Sequence, residues 1–475
     1  MAITPSQWSH VLTIPESYTP SAATSGQTLV ITESVIAKLS AGEQSTFWSN
    51  VQNGGGDVRV CESSDGTNQL PVEVVSLDNV AQTCVIWTRK TSYDGTDNLY
   101  VFIGKAGETQ PAVTDPFGRN AVWQDYVVSA HLNESPSSAS GHYVNSTGNG
   151  DGTAPVAPQG NATGAYGNTA TDFNGSSNQV DFPASGLGLE VSFSAWAKCD
   201  SLAEDQRLLS LYGSTAQDLQ GLSALLWMDA GGSGDGWAGF VRKTDGSSNL
   251  TPTDSNDALT SWQLINMVVT SGQIRVYVDG TLANTATITG TATIDLVDTL
   301  IVGRNWNNVG SGEYFDGAIS DARLSNGVID SAKIATEYEN QSDPANFYGT
   351  PTIAATGGTV TSDIAFSISA PSFSVNASPS LPQPDSDVSF SIIGPNFSVS
   401  ADATQPQPDS DIDFSITGPN FSIGASATLP DSSADVGFSI VGPIFSISAF
   451  AGTIEIIVDD ETNISVPSLS TNINI

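Results

Sequence analysis

Basic residues are what this chain has least of. Its 475 residues hold 14 lysines and arginines against 50 acids, a formal net charge of −36. A polyanion of this kind repels phosphate backbones and anionic lipid head groups, which excludes nucleic acid and acidic membrane surfaces as partners. It suits a salty medium, where screening shortens its self-repulsion. No apolar run approaches the roughly 20 residues that cross a bilayer, so no membrane insertion is expected. The start, Met1-Ala2-Ile3-Thr4-Pro5-Ser6, has neither a basic nor an apolar leader segment, so no secretory signal is expected. Cys61, Cys84 and Cys199 are scattered without C-x-x-C spacing and read as buried thiols. His10, His131 and His142 are too scattered for a zinc site, and neither H-E-x-x-H nor a nucleophile-elbow serine in strand–turn–helix context is present.

Helical period is also scarce. No segment before Asp330 keeps it for three turns, and only Glu33 to Asn50 shows it weakly. What is present is strand after strand, so the fold class is all-β: two β-sandwich or jelly-roll domains, at 1–120 and 121–348, followed by a repetitive region at 350–475. In Gln273-Ile274-Arg275-Val276-Tyr277-Val278 the apolar residues share one face, and Asp279-Gly280 then supplies a tight hairpin turn. Val58 to Val60, Val72 to Val74, Cys84 to Arg89 and Leu99 to Ile103 alternate in the same way, separated by Gly, Asp and Asn.

The run Asn145-Ser146-Thr147-Gly148-Asn149-Gly150-Asp151-Gly152 lacks the Lys-Ser/Thr that closes a phosphate loop and the Glu of a calcium loop. It reads as a long loop packed over a sheet edge, with a metal there as the minority reading.

Between Phe366 and Phe445 the triplet Phe-Ser-Ile/Val recurs at alternating spacings of seven and seventeen, which makes four copies of a 24-residue repeat. Pro371, Pro395, Pro419 and Pro443 sit between the two triplets of each copy, where Pro presets a turn. Each copy therefore reads as a β-hairpin with Phe and Ile on one face and Ser on the other. Such a face needs a partner. Stacking along an axis, as in a fibre or solenoid, is favoured over closure into one compact sandwich. A homotrimer is expected if three such ribbons close a core together. No Lys or Arg follows Lys333, so the acids beyond it depend on solvent, salt ions or a basic neighbour.

The middle of the chain carries a resemblance. Thr171-Asp172-Phe173-Asn174-Gly175, Phe193 to Lys198, Trp262 with Val268-Val269-Thr270, Ile301-Val302-Gly303, Tyr314 to Leu324 and the short closing helix Ser331 to Tyr338 follow one another as in laminin-G-like, concanavalin A-like jelly rolls. Trp8 to Phe117 resembles a β-sandwich family of unknown function that often precedes such domains in surface and virion proteins. The first resemblance implies sugar or calcium binding. Trp306, with Asn305, Asn307 and Arg304 around it, and Trp237 are the candidate glycan-contacting residues. Asn174 and Asp316 are the candidate calcium ligands.

These folds also host glycoside hydrolases, which need two opposed carboxylates. The nearest acid cluster, Glu313, Asp316 and Asp321, has the wrong spacing for a pair on one strand face, so a non-enzyme is expected. The composition and the absent leader together point to a virion component of a tailed phage, released by lysis: a tail or head fibre or a surface decoration. Its expected partners are itself, other virion proteins and a host-surface glycan. A secreted or cell-surface bacterial adhesin is the alternative, and a glycoside hydrolase a more distant one.

Overall fold

The protein is described here by a computed structural model. It describes residues 3–213, 222–230, 236–243, 247–251, 258–292, 294, 297–304 and 314–356, and beyond these the backbone of strands from Ile364–Ser369 to Ile473–Asn474. The chain divides into two compact units, one of Met1–Ile3 with His10–Ala354 and one of Thr4–Ser9 with Ala355–Ile475. The all-β expectation holds throughout.

The first unit contains two sandwiches. In the N-terminal one, His10–Pro15, Asn98–Ile103, Arg59–Cys61 and Gln69–Leu70 lie side by side in one sheet. Thr24–Thr32, Thr83–Tyr93 and Val72–Asp78 form the facing three-stranded sheet. Leu12, Ile14, Leu29, Ile31, Ile86 and Val101 meet between them, joined by Phe47 and Trp48. Those two aromatics come from the helix Ala41–Asn50, which opens with a capping box between Ser40 and Glu43.

The second sandwich sets an eight-stranded sheet, with Val191–Cys199 and Asp316–Ser325 at its centre, against a six-stranded one containing Gln206–Tyr212, Leu222–Asp229 and Gly236–Arg242. Asp279 and Gly280 both take positive φ, 51° and 76°, as the two-residue hairpin turn requires. Cys61, Cys84 and Cys199 are buried free thiols, as expected.

Strand Thr24–Thr32 departs from simple alternation, with eight of its nine residues buried. Leu29 and Ile31 face the N-terminal core, while Val30, with Val85 and Trp87 from its partner strand, packs into a separate apolar cluster. That cluster also takes Trp123, Tyr126, Trp196, Leu264, Val268 and Ile334 from the jelly roll and its closing helix. One sheet is thus shared between two cores, which fuses the sandwiches into a single compact unit.

In the second unit the repeats pair differently from the hairpins read in the sequence. Val388–Ile393 and Asn396–Thr404, the two strands of one copy, lie in different sheets. Each pairs in parallel with its counterpart one copy on, Phe390 opposite Phe414 and Phe397 opposite Phe421. The chain therefore winds as a two-sheet solenoid, one 24-residue copy per coil. A hairpin leaves its apolar face bare, whereas parallel stacking gives each strand of an inner copy a neighbour on both edges. Of the two arrangements weighed from the sequence, stacking along an axis is the one adopted.

Candidate functional site

The densest polar chemistry in the described residues lies where the two sandwiches meet, and it is buried, with Glu73 and His131 lining a cavity of about 320 Å³. Glu73 comes from strand Val72–Asp78, His131 from just beyond Tyr126–Ala130, Asp321 and Arg323 from Asp316–Ser325, and Glu337 from helix Ser331–Ser342. His131 places Nδ1 2.7 Å from Asp321 Oδ1 and Nε2 3.1 Å from Glu73 Oε2. Asp321 Oδ2 accepts from the Tyr166 hydroxyl at 2.6 Å and from Asn168 at 3.2 Å. The Arg323 guanidinium lies against both the Trp87 and Trp123 rings, 4.7 and 4.8 Å from their centroids, and the two rings touch each other at 5.1 Å. Burial by itself would lower the His131 imidazolium, but the Glu73 charge and the Asp321 hydrogen bond hold it up at about 10. Burial would raise both carboxyls, and the imidazolium instead draws each below the usual range.

Backbone shape puts Asp321 there. Ser320 pairs with Trp196 and Arg323 with Ser194, so two residues bulge against one. Asp321 takes φ 52° within that bulge, a conformation uncommon for a non-glycine residue. Sequence reasoning grouped Asp321 with the acids of a possible catalytic pair. In the structure it is 1% exposed and bound to a base.

The Gly-rich loop joins the same enclosure. Asn145 Oδ1 accepts from Ser129 N and Thr147 N, Asp151 Oδ1 from Asn145 N, and Ser146 Oγ donates to Glu73 Oε1 at 2.6 Å. These oxygens are committed to protein donors, which fits the packed-loop reading.

Of the candidate glycan residues, Asn305, Trp306 and Asn307 lie outside the described residues, as does Glu313. The stem of their loop is described. Arg304 and Tyr314 form an antiparallel bridge that closes it, with the guanidinium 4.7 Å from the Tyr314 ring centroid. Arg304 also donates to Gln179 Oε1 at 2.8 Å, and Gln179 in turn to Asp181 at 2.7 Å. The result is a partly exposed guanidinium, phenol and carboxylate, linked through the buried Gln179 amide, beside the strands Val180–Pro183 and Thr299–Val302.

Trp237 is placed otherwise. It is 2% exposed within the jelly-roll core, its indole donating to Gln263 Oε1 at 3.1 Å. On strand Gly236–Arg242 an inward-facing ring fills volume between the sheets and offers no face to a sugar.

Asn174 and Asp316 stand directly opposite each other across paired strands. Asn174 Oδ1 already accepts from the backbone N–H groups of Ser176 and Ser177, both at 3.0 Å, so it does not fit a calcium ligand. Asp316 is raised by burial and by the neighbouring charges of Asp200 and Asp172.

The family comparison decides what this fold is. Residues 173–335 match the model of the concanavalin A-like lectin/glucanases superfamily. That stretch is a laminin-G-like jelly roll. No curated protein matches the chain. Among solved structures, domain 4 of an extracellular arabinanase from Geobacillus stearothermophilus, determined with arabinotriose, is 18% identical at TM-score 0.33, covering 45% of this chain and 99% of that one. The receptor-binding domain of botulinum neurotoxin mosaic serotype C/D is 14% identical at TM-score 0.35, covering 46% of this chain and 52% of that one. The ligand-binding domain of serotype D, determined with N-acetylneuraminic acid, is 15% identical at TM-score 0.34, covering 47% and 53%. The chain thus spans about half the length of the toxin domains it matches. Likeness of this grade carries no information about ligand or activity.

Proposed function

We propose that the protein is a non-catalytic, glycan-contacting structural component of a tailed-phage virion, in which the jelly roll makes the contact and the solenoid is a fibre-like element. The observation that carries the reading is the fusion of a lectin-type jelly roll to a second sandwich through a buried ion cluster. Such an arrangement gives a rigid binding unit and spends its best-placed acids and histidine on cohesion. Of the three acids weighed for a hydrolase, Asp321 is bound to His131 and buried.

Glycan contact is assigned to the end of the jelly roll bearing Arg304 and Tyr314, where planar polar groups suit sugar hydroxyls and the ring suits a pyranose face. Trp306 and its flanking amides belong to the same loop. Calcium stays in the proposal with Asp316, which has Asp200 and Asp172 near it, as its candidate side-chain ligand.

A glycan array on the full chain, with and without chelator, tests the contact. Binding that falls at least tenfold in an Arg304→Ala/Tyr314→Ala variant supports it, and an array without a signal rejects it. Mass spectrometry of purified particles tests the virion assignment, because an adhesin would be found in bacterial envelopes instead. The homotrimer is proposed on the need of apolar ribbons for partners. Pairing between copies of one chain meets part of that need, so light scattering on the full chain decides between trimer and monomer.

A further inference from the structure

The cavity at the junction of the two sandwiches lies apart from the Arg304 and Tyr314 loop stem. It holds about 320 Å³ and reaches down to the buried Glu73–His131 pair. Strand Val72–Asp78 and the stretch holding Gln110, Val113 and Arg119 form one wall. The other comes from the chain after strand Tyr126–Ala130, with Asn133, Glu134 and Val144.

The lining is mixed in character. Among the described residues the Arg119 guanidinium meets only its neighbour Asn120, at 3.4 Å, and no acid. Glu134 is fixed in place by Val144 N, which donates to its Oε1 at 2.8 Å. Asn133 adds an amide, and Val113, 46% exposed, adds apolar surface at the rim. On the walls Arg119 balances Glu134, and on the floor His131 balances Glu73, so the lining carries no net charge.

A ligand for these walls must offer acceptors to a guanidinium and donors to a carboxylate, with some C–H surface and no net charge. A hydroxyl group accepts and donates at once, so a neutral sugar ring meets every requirement. An acidic sugar would meet Glu134 and the −36 charge of the whole chain. An apolar ligand would strip water from charged walls without replacing its hydrogen bonds. Place and size agree, since ligand sites of about 300–1,000 Å³ favour domain junctions and gather groups whose pKa is displaced. His131 on the floor is such a group, held up at about 10.

We propose that this cavity is a second saccharide site, taking one neutral pyranose ring against Arg119 and Glu134. It shares a ligand class with the reading above and none of its residues.

Saturation-transfer NMR on the full chain tests it, with glucose, galactose, mannose, rhamnose and N-acetylglucosamine as probes and glucuronic acid as the acidic contrast. The Arg304→Ala/Tyr314→Ala background removes the contact proposed at the other site. In that background at least one neutral sugar should receive saturation, and glucuronic acid should receive less. Glu134→Gln keeps the oxygen that accepts from Val144 N and loses the charge, while Val113→Trp fills the rim from an exposed position. Each should cut the transfer about tenfold or more and leave Tm within a few degrees of the background. Val113→Trp is the variant to read if Glu134→Gln melts early. Transfer to no neutral sugar in that background, transfer unchanged in both cavity variants, or a preference for glucuronic acid would each overturn the proposal. A glycan-array signal from the wild type with no transfer in that background would sink the cavity site alone and leave the Arg304 reading standing.

Discussion

His131 and Asp321, 190 positions apart, meet at 2.7 Å inside the protein. Glu73 closes the other side of the ring at 3.1 Å from a strand of the first sandwich. The imidazolium is therefore a charged rivet through both sandwiches, and its removal leaves two buried carboxylates facing each other.

The pH dependence of stability follows from this triad. His131 is raised in the folded state, to about 10, so its contribution is full below its unfolded value of about 6.5 and is lost as pH rises through 10. Glu73 and Asp321 are lowered, so theirs is present above the unfolded carboxylate range of about 4 and is lost as pH falls through their folded values. Chemical denaturation across pH should show a maximum between about pH 5 and 6.5. In His131→Gln the alkaline decline should flatten, and an unchanged alkaline limb would show that the imidazole does not set it.

Breaking the pair from one side should be severe. Asp321→Asn leaves a buried cation short of its counter-charge and should cost about 3–5 kcal/mol in urea unfolding. The loss should appear in one cooperative transition monitored at both sandwiches, because they share the Trp87–Trp123 cluster. Two separate transitions would mean that the sandwiches fold independently.

Trp237 and Arg304 should separate stability from binding. Trp237→Ala opens a cavity in the jelly-roll core and should cost about 3–5 kcal/mol. The fraction still folded should bind glycan as the wild type does. Arg304→Ala should leave Tm within a few degrees of the wild type and weaken the glycan signal.

The solenoid makes a prediction about deletions. Removing residues 388–411, one whole period, preserves every parallel pairing, since Phe414 takes the place of Phe390 beside Phe366. Removing twelve residues instead brings a strand of one sheet against the other. The first variant should keep the β signal in circular dichroism and its resistance to protease, and the second should lose both.

Much of this was legible in the sequence. Period-two runs located most strands, Asp279-Gly280 announced its own turn, and the repeat period was visible from Phe spacing alone. The pairing of the repeats was not, because alternation within a strand is the same for a hairpin and for a coil and only the partner differs. Trp237 misled because a ring beside Asp235-Gly236 looks like a loop residue, while its register with Met228 sets it in the sheet. The ion cluster could not be found by local pattern, since its members come from positions 73, 131, 321, 323 and 337. A weak signal lay in Leu29-Val30-Ile31, where three consecutive apolar residues put apolar side chains on both faces of one strand.

In-register stacking of near-copies makes reach a matter of counting. Each added or lost period moves the far end by one inter-strand spacing, ~4.8 Å, without altering any joint between neighbours. Slippage between near-identical stretches of the gene would therefore yield longer and shorter versions of the repeat region that still fold.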